Sequence, residues 1–269
     1  MRGRVFMRLD RVSRAAVERH FAEGRRGIIL PLGSLEPHGA PGALGTDAIC
    51  AAAVAERAAE WAGGVTAPVI AYGMAQFHLG AAGCVSLRPS TLIAVLSDAI
   101  TSLGMGGFTR VLLLNGHGGN AAPALVAIQE VMAEVSLGRL RFPAPVTVKL
   151  RAWWEGPRVG ALRSELYGDR EGFHCTPSEI AMVMALHPEI SMSREDWPVW
   201  HDVAENPLVD LGGHRHEDAA RHAARWRDGP VASDPSLARA EDGLRLLKAA
   251  GEDVAEAFAA LQGAREDSP

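Results

Sequence analysis

The sequence contains few cysteines and no long apolar run. Its three cysteines, Cys50, Cys84 and Cys175, are an odd number among 269 residues, and no two of them have C-x-x-C spacing. This usage argues against a disulfide framework and against a cysteine zinc site, and it indicates a reducing compartment. No apolar stretch approaches the roughly 20 residues that span a bilayer, and the charged N-terminal segment lacks the apolar core of a signal peptide. We therefore expect a cytoplasmic protein with no membrane partner.

Clusters of basic residues and nucleotide-binding motifs are also missing. Lys and Arg total 27 against 32 Asp and Glu, which leaves a formal net charge of -5. Without a Lys/Arg-rich block, the chain has no electrostatic footprint for nucleic acid or for an anionic membrane. It also has no P-loop, no G-x-G-x-x-G motif after a strand and no G-x-S-x-G elbow, so nothing indicates a nucleotide site or a serine nucleophile. We expect a small molecule as the partner.

Hydrophobic residues make up 48% of the chain, and they recur in a strand, loop and helix order. Apolar runs predict strands at residues 28–30, 65–70, 110–114 and 145–150. Helical patterns alternate with them at residues 47–61, 91–103 and 121–135. We predict one α/β domain over residues 1–269, a three-layer α/β/α arrangement with a mostly parallel central sheet. We also expect an irregular excursion at about residues 190–234 and a C-terminal helical segment that is interrupted near Gly251.

The first predicted strand leads into a loop that holds three candidate ligands. Glu36 and His38 lie two residues apart, so their side chains leave an extended backbone on the same face. Asp47 follows at the start of a helical pattern. A carboxylate and an imidazole suit zinc, manganese or iron(II). The residues alone also permit a surface glutamate, a solvated histidine and an aspartate that caps its own helix.

Two further groups of candidate residues follow later in the chain. His117 lies among glycines directly after a predicted strand, and His174 is followed five residues on by Glu179. Neighbours without side chains would let a metal ion and a substrate approach His117 closely. Because ligands of open α/β sheets collect beyond the carboxyl ends of the strands, we expect these residues and the opening loop to converge.

Four motifs occur in one order: Gly33-Ser-Leu-Glu36-Pro-His38-Gly39, Leu44-Gly-Thr-Asp47, Asn115-Gly-His117-Gly-Gly-Asn120, and His174 with Glu179. In this order and at these spacings they resemble the creatininase (creatinine amidohydrolase) family over about residues 25–190. The resemblance implies a hydrolase with two divalent metal ions, zinc, manganese or iron, at the carboxyl edge of the sheet. It also implies a homo-oligomer, commonly a hexamer.

The resemblance assigns roles to individual residues. Four of them match metal ligands, namely Glu36, His38, Asp47 and His117. Asp47 matches the ligand that bridges the two ions. Creatininase itself has a glutamate where this chain has Gly119, and other members with N-G-H-G-G-N use the glutamate that matches Glu179, which is our expected fifth ligand. His174 matches a histidine that moves protons near the scissile amide, so His174 and Glu179 are the expected catalytic residues.

The expected substrate-binding residues are His78, Gly118, Gly119 and Trp154. His78 lies in a loop that departs from the family pattern, because the usual serine, Phe-Pro and threonine are missing there. Pro41 also replaces a histidine that lies close to the metals in the family. Together with Gly119, these departures argue against creatinine itself as the substrate.

The chemistry of the candidate ligands agrees with the resemblance. Two divalent ions held by carboxylates and imidazoles can lower the pKa of a bound water toward about 7 and polarise an amide carbonyl. We therefore expect a metal-dependent amidohydrolase that uses metal-bound hydroxide on the C–N bond of a small cyclic amide or formamide. Two alternatives stay open: a creatininase-like peptidase acting on a short modified peptide, and a non-catalytic α/β module that binds a small ligand.

Overall fold

A parallel β-sheet forms the centre of the part of the chain that the computed structural model describes, which is residues 6–39, 42–190, 218–226 and 230–263. Its five strands are β1 (Met7–Arg8), β2 (Gly27–Leu32), β3 (Val65–Thr66), β4 (Arg110–Asn115) and β5 (Thr147–Ala152). They lie in the order β1-β3-β2-β4-β5, and each neighbouring pair is parallel. The register pairs Leu32 with Asn115 and Asn115 with Ala152, so three strands end at one level.

Helices cover both faces of this sheet. The helices of the described residues are α1 (Arg14–Ala22), α2 (Thr46–Ala62), α3 (Pro89–Met105), α4 (Ala121–Ser136), α5 (Pro157–Tyr167), α6 (Pro177–Leu186), α7 (Ala219–Arg225) and α8 (Ala240–Gly263). One core packs α2, α5, α6 and α8 against one face, and a second core packs α1, α3 and α4 against the other. The predicted three-layer α/β/α fold is confirmed.

The central strands are apolar because both of their faces are covered. All six residues of β2 are buried, as are five of the six residues of β4. Ile29 and Leu112 belong to one core, whereas Ile28 and Leu113 belong to the other. Burial of one such aliphatic side chain contributes about 1.5–3 kcal/mol. The short continuous runs in the sequence therefore report burial on both sides of the sheet.

The connections after β2 and β4 create a crevice. These two strands are neighbours, but α2, which follows β2, packs on one face, and α4, which follows β4, packs on the other. The loops that leave the two strands consequently separate at the carboxyl edge of the sheet. Such a topological switch point is where open α/β sheets bind ligands.

Three predictions about the elements need correction or stay untested. The strand predicted at residues 65–70 is shorter, since β3 ends at Thr66. The interruption predicted near Gly251 is wrong, because α8 continues through it; a Cβ there would lie 2.6 Å from Arg57 Cγ, so the glycine allows close packing. Residues 191–217 and 227–229 of the predicted excursion lie outside the described residues, and α7 shows that the rest is partly helical.

A single domain over the whole chain stays a prediction. Pro41, which marked a departure from the family pattern, also lies outside the described residues. None of the helices in the described part of the chain combines the length and hydropathy that a bilayer crossing requires.

Candidate functional site

Three loops meet in the crevice beyond β2 and β4. The loop after β2 supplies Glu36 and His38, and the first turn of α2 supplies Asp47. The loop after β4 supplies His117, and the segment that begins α6 supplies Glu179. Glu36 and His38 are 0% and 1% exposed, so the alternative of a surface glutamate and a solvated histidine is wrong. Asp47 does not cap its helix either, because Gly45 is the N-cap.

Asp47 lies at the centre of the contacts in this cluster. Its Oδ1 is 3.1 Å from His38 Nε2, and its Oδ2 is 3.2 Å from His117 Nδ1. The same His117 nitrogen is 3.2 Å from Glu36 Oε1, and His38 Nε2 is 3.8 Å from Glu179 Oε1. One aspartate thus joins two sets of donors, which is the geometry expected of a ligand shared by two ions.

The three histidines have the same hydrogen-bonding arrangement. His38 Nδ1 lies 3.1 Å from the Glu36 carbonyl oxygen, His117 Nε2 lies 3.1 Å from that of Met74, and His174 Nε2 lies 2.8 Å from that of Pro37. A carbonyl oxygen can only accept, so each of these nitrogens carries the hydrogen. The other nitrogen of each ring faces a carboxylate oxygen. Backbone partners that orient the rings in this way are typical of metal-ligating histidines.

The cluster contains buried oxygens without hydrogen bonds. Both carboxylate oxygens of Glu36 and Oδ2 of Asp47 have no hydrogen-bond partner among the described residues. Buried carboxylates are costly unless they are paired or coordinate a metal. The oxygen and nitrogen donors suit zinc, manganese or iron. The residues present therefore fit divalent ions.

The donor atoms form three groups, each with atoms within 4.8 Å of one another. The groups are Glu36 with Asp47 and His117, His38 with Asp47 and Glu179, and Glu36 with His38 and His174. The first two groups together contain the five predicted ligands and share Asp47. The third shows that His174 is also close enough to contribute a donor, with its Nδ1 at 3.4 Å from Glu36 Oε1.

Glu179 has a second role at the start of α6. Its Oε1 accepts a hydrogen bond of 2.6 Å from the Thr176 backbone N–H, and the Thr176 hydroxyl accepts one of 3.3 Å from the Glu179 N–H. This capping box fixes the carboxylate in the first turn of the helix. The glutamate can therefore cap its helix and face His38 at the same time.

Burial and opposite charges perturb the pKa values in the cluster. Burial would lower the pKa of His38, but Asp47 and Glu179 raise it to about 10. Burial would raise the pKa of Asp47, but His38 and His117 lower it. Burial raises the pKa of Glu179 to about 7, and burial together with His38 lowers the pKa of His174 to about 3. Divalent ions would therefore have to compete with protons for these buried side chains.

Asparagines and a glycine position the loop that carries His117. Asn115 accepts a 3.1 Å hydrogen bond from the His117 N–H and donates one of 2.7 Å to its carbonyl oxygen. Asn120 donates to the Gly33 carbonyl oxygen at 2.9 Å, which ties this loop to the one after β2. A Cβ on Gly116 would lie 2.4 Å from the Asp47 carbonyl oxygen. Asn115, Gly116 and Asn120 of the N-G-H-G-G-N motif thus serve to position the loop that carries His117.

A cavity of about 490 Å³ opens on the cluster. All four predicted substrate-binding residues line it, namely His78, Gly118, Gly119 and Trp154. Gly118 has open space where a Cβ would be, as expected for close approach of a ligand. At Gly119 a Cβ would lie 2.4 Å from the Met74 carbonyl oxygen, so this glycine is also required for packing. The ring centroids of His78 and His174 are 4.7 Å apart.

Other residues of the cavity wall were not predicted from the sequence. They include Phe77, Trp153, Arg163, Phe173 and His222. His222 stacks on Phe77 with ring centroids 4.9 Å apart, so α7 lies over the cavity. No motif marks these positions, because they come from separate elements and meet only in the folded chain. Phe77, Trp153 and Phe173 each lie next to a predicted site residue, which is the only signal that the sequence offered for them.

The protein combines an α/β/α fold with a buried centre of carboxylates and imidazoles beside a ligand-sized cavity, which is the arrangement of an α/β enzyme. The family model of creatininase, described as creatinine amidohydrolase, matches residues 10–258. This chain belongs to the creatininase family of amidohydrolases. Membership favours an enzyme over a non-catalytic binding module.

Several relatives are similar to the chain over different lengths. Creatinine amidohydrolase from Pseudomonas putida is 28% identical over 252 residues, which cover 90% of this chain and 92% of the relative. The 3-dehydro-scyllo-inosose hydrolase of Thermotoga maritima is 28% identical over 177 residues, or 64% of this chain and 53% of the relative. Mycofactocin precursor peptide peptidase from Mycolicibacterium smegmatis is 36% identical over 107 residues, or 38% and 43%.

Solved creatininase structures share the fold. One named "Creatininase Mn" has a TM-score of 0.77 at 26% identity, and the match covers 93% of this chain and 96% of the other. A mutant creatininase of the "Zn-Zn type" has a TM-score of 0.76 at 25% identity with the same coverage. These proteins are metal-bound according to their names, one with manganese and the other with zinc.

Proposed function

We propose that this protein is a metal-dependent amidohydrolase that cleaves the C–N bond of a small cyclic amide or formamide. The observation that carries the proposal is the position of Asp47, which joins two groups of donor atoms in the wall of a cavity. The carboxylates of Glu36 and Asp47 are buried there, and buried carboxylates are costly unless they are paired or coordinate a metal.

Two of the three donor groups would each hold one ion. Glu36, Asp47 and His117 form one set, and His38, Asp47 and Glu179 form the other. Two divalent ions held there would lower the pKa of a bound water and polarise the substrate carbonyl. Zinc, manganese and iron all suit these ligands, and the similarity to zinc and manganese creatininases favours the first two.

His174 is the residue that we assign to proton transfer. It lines the cavity beside the cluster, its Nε2–H is held by the Pro37 carbonyl oxygen, and its Nδ1 is unprotonated near neutral pH because burial lowers its pKa. An unprotonated nitrogen beside a reacting centre can accept a proton and return it to the leaving nitrogen. His174 lies in the loop before α6, and the next residue, Cys175, has a positive φ of 55°.

The cavity favours a small substrate. Its volume of about 490 Å³ lies within the range of small-molecule sites. The lining includes the aromatic side chains of Phe77, Phe173 and Trp154, which suit a planar ring. The glycine at position 119 and the altered loop around His78 favour a cyclic amide other than creatinine.

A peptidase is the second candidate. The chain is 36% identical to the mycofactocin precursor peptide peptidase over a stretch of 107 residues, which covers 38% of this chain. The same centre could cleave a short modified peptide, provided that the peptide end fits the cavity.

Homo-oligomerisation and a cytoplasmic location stay predictions.

The proposal is tested by metal removal and an exchange of the shared ligand. The purified protein is analysed for metal, stripped with a chelator, reloaded with zinc or manganese, and assayed for hydrolysis of hydantoin, dihydrouracil and N-formyl compounds. We expect near-stoichiometric metal, loss of activity on stripping and recovery on reloading. Because metal binding to ligands from distant segments is linked to folding, stripping should also lower the melting temperature.

Asp47→Asn should lose most of both ions and the activity, because it removes a charge that both donor sets share. Full metal content with normal turnover in this variant would contradict the shared-ligand assignment. A wild-type protein that hydrolyses none of the amides but cleaves short peptides would favour the second candidate.

A further inference from the structure

The cavity wall contains a basic side chain that no motif predicted. Arg163 extends from α5, and the described lining residues include no other arginine or lysine. Its Nε donates a hydrogen bond of 2.8 Å to Glu171 Oε1. Its guanidinium carbon lies 5.9 Å from the centroid of the Trp153 ring. The guanidinium is therefore held at its Nε edge by Glu171 and along one face by the Trp153 ring.

Glu171 fixes the orientation of Arg163 and uses only one of the donors of the guanidinium. The glutamate is 8% exposed and accepts a second hydrogen bond from the Ser178 hydroxyl, so its position is itself determined. The terminal amino groups of Arg163 have no hydrogen-bond partner within the part of the chain that the structure describes. The guanidinium is thus oriented through Nε while its other edge keeps two parallel donors.

A second unpaired donor belongs to the same wall. The indole N–H of Trp153 is buried and lacks a hydrogen-bond partner among the described residues, and the residue is 2% exposed. Because this N–H is itself inaccessible, it lies behind the cavity surface and is not open to a ligand. The Arg163 guanidinium, which lines the cavity, is therefore the donor available to an acceptor group of a bound molecule.

The donor set favours a carboxylate. The planar end of a guanidinium matches the two oxygens of a carboxylate in a bidentate pair. Phosphate offers the same oxygens, but the described lining residues include no second arginine or lysine to pair with its second negative charge. Glu171 already balances part of the arginine charge, so a singly charged anion is the better match.

We propose that Arg163 binds a carboxylate of the substrate, so that the substrate is a cyclic amide or formamide that carries a carboxylate group. This inference rests on the proposed amidohydrolase function and assigns its substrate class. A series of hydrogen bonds connects the anchor to the metal-ligand candidates: Ser178 bonds to Glu171, the hydroxyls of Ser178 and Thr176 lie 3.1 Å apart, and the Thr176 N–H bonds to Glu179.

Matched pairs of compounds test the proposal. Hydantoin is compared with hydantoin-5-acetate, and dihydrouracil with dihydroorotate, because the members of each pair differ by an acidic group. Binding to the metal-loaded protein is measured by titration calorimetry, and hydrolysis is followed separately. We expect the carboxylate-bearing member of at least one pair to bind about 10- to 100-fold more tightly, as hydrogen bonds to a charged group allow.

Variants assign the preference to the side chain. Arg163→Gln should abolish the preference, and Arg163→Lys should retain only part of it because a lysine lacks the planar fork. Arg158→Gln is the control, since Arg158 lies on the same helix but pairs with Asp253 and Glu256 outside the cavity. If Arg163→Gln unfolds because Glu171 loses its partner, the double variant with Glu171→Gln removes the unpaired charge and allows the same comparison.

The outcomes separate this inference from the proposed function. Equal affinity within both pairs, binding by neither acid, or a preference that survives Arg163→Gln would overturn the carboxylate site. Hydrolysis of neutral amides without any preference for acids would leave the amidohydrolase function in place. A preference that depends on Arg163, without hydrolysis of any amide, would support the binding site and count against the function.

Discussion

Glu179 combines helix capping with a position beside His38, and two substitutions can separate these roles. Glu179→Gln keeps an oxygen that can accept the hydrogen bond from the Thr176 N–H but removes the negative charge. Thr176→Ala keeps the Glu179 carboxylate but removes the hydroxyl that accepts from the Glu179 N–H. The first change therefore tests metal binding, and the second tests the cap.

Thr176→Ala should mainly lower the melting temperature, whereas Glu179→Gln should mainly lower the metal affinity. Loss of an N-cap hydroxyl costs about 1 kcal/mol, which lowers the melting temperature of a domain of this size by about 2–4 °C. Thr176→Ala should show this shift and keep its metal. Loss of a partner that only supports a ligand costs about 10- to 100-fold in metal affinity, so loss of a direct ligand in Glu179→Gln should cost at least that much. The set of Glu36, Asp47 and His117 is unchanged in this variant, so roughly half of the metal should remain.

The assay combines elemental analysis after dialysis, competition with a chromophoric chelator, and thermal melting of the stripped proteins. Melting without metal isolates the contribution of the cap from that of the ions. Wild-type metal affinity in Glu179→Gln would refute the reasoning. An equal loss of melting temperature in both variants, with metal content unchanged, would show that Glu179 only caps its helix.

Two further changes test the rest of the site. His174→Ala should leave metal content unchanged and slow turnover by about 10²–10⁴-fold, as lost acid–base catalysis implies; a loss of metal, measured by elemental analysis, would instead place His174 among the ligands. Gly116→Ala should lower the free energy of unfolding by about 1–3 kcal/mol, because its Cβ would lie 2.4 Å from the Asp47 carbonyl oxygen. Gly118→Ala, where nothing lies within 4 Å of the added atom, should stay within about 0.5 kcal/mol in the same denaturant titration. Similar losses in the two glycine variants would contradict the packing argument.

The layer architecture could be predicted because the central strands are buried on both faces. β2 and β4 appear in the sequence as short apolar runs, and each is followed directly by a loop rich in glycine. Parallel strands place such loops at one edge of the sheet, so the convergence of Glu36, Asp47 and His117 follows from local pattern and topology. The structure places these three residues in one donor group.

Less of the helical detail could be predicted. A glycine usually weakens a helix, which is why an interruption near Gly251 was expected. In the folded chain the absent side chain allows α8 to pack against Arg57 of α2, and packing outweighs the intrinsic preference. Likewise, β3 has only two residues because its pairing with neighbouring strands, and not its apolar run, determines its length.

What the sequence by itself determined is therefore the fold class, the family and the identity of the candidate ligands, since these depend on local patterns and on residues at strand ends. Tertiary structure decided which groups orient His117 and His174: the Met74 carbonyl oxygen is 43 positions from His117, and the Pro37 carbonyl oxygen is 137 positions from His174. The same holds for Arg163, whose place in the cavity depends on how α5 packs beside Glu171 and Trp153. Contacts between distant segments leave no periodic trace in a single sequence, because each segment has its own local pattern and their distance is set only when the layers pack.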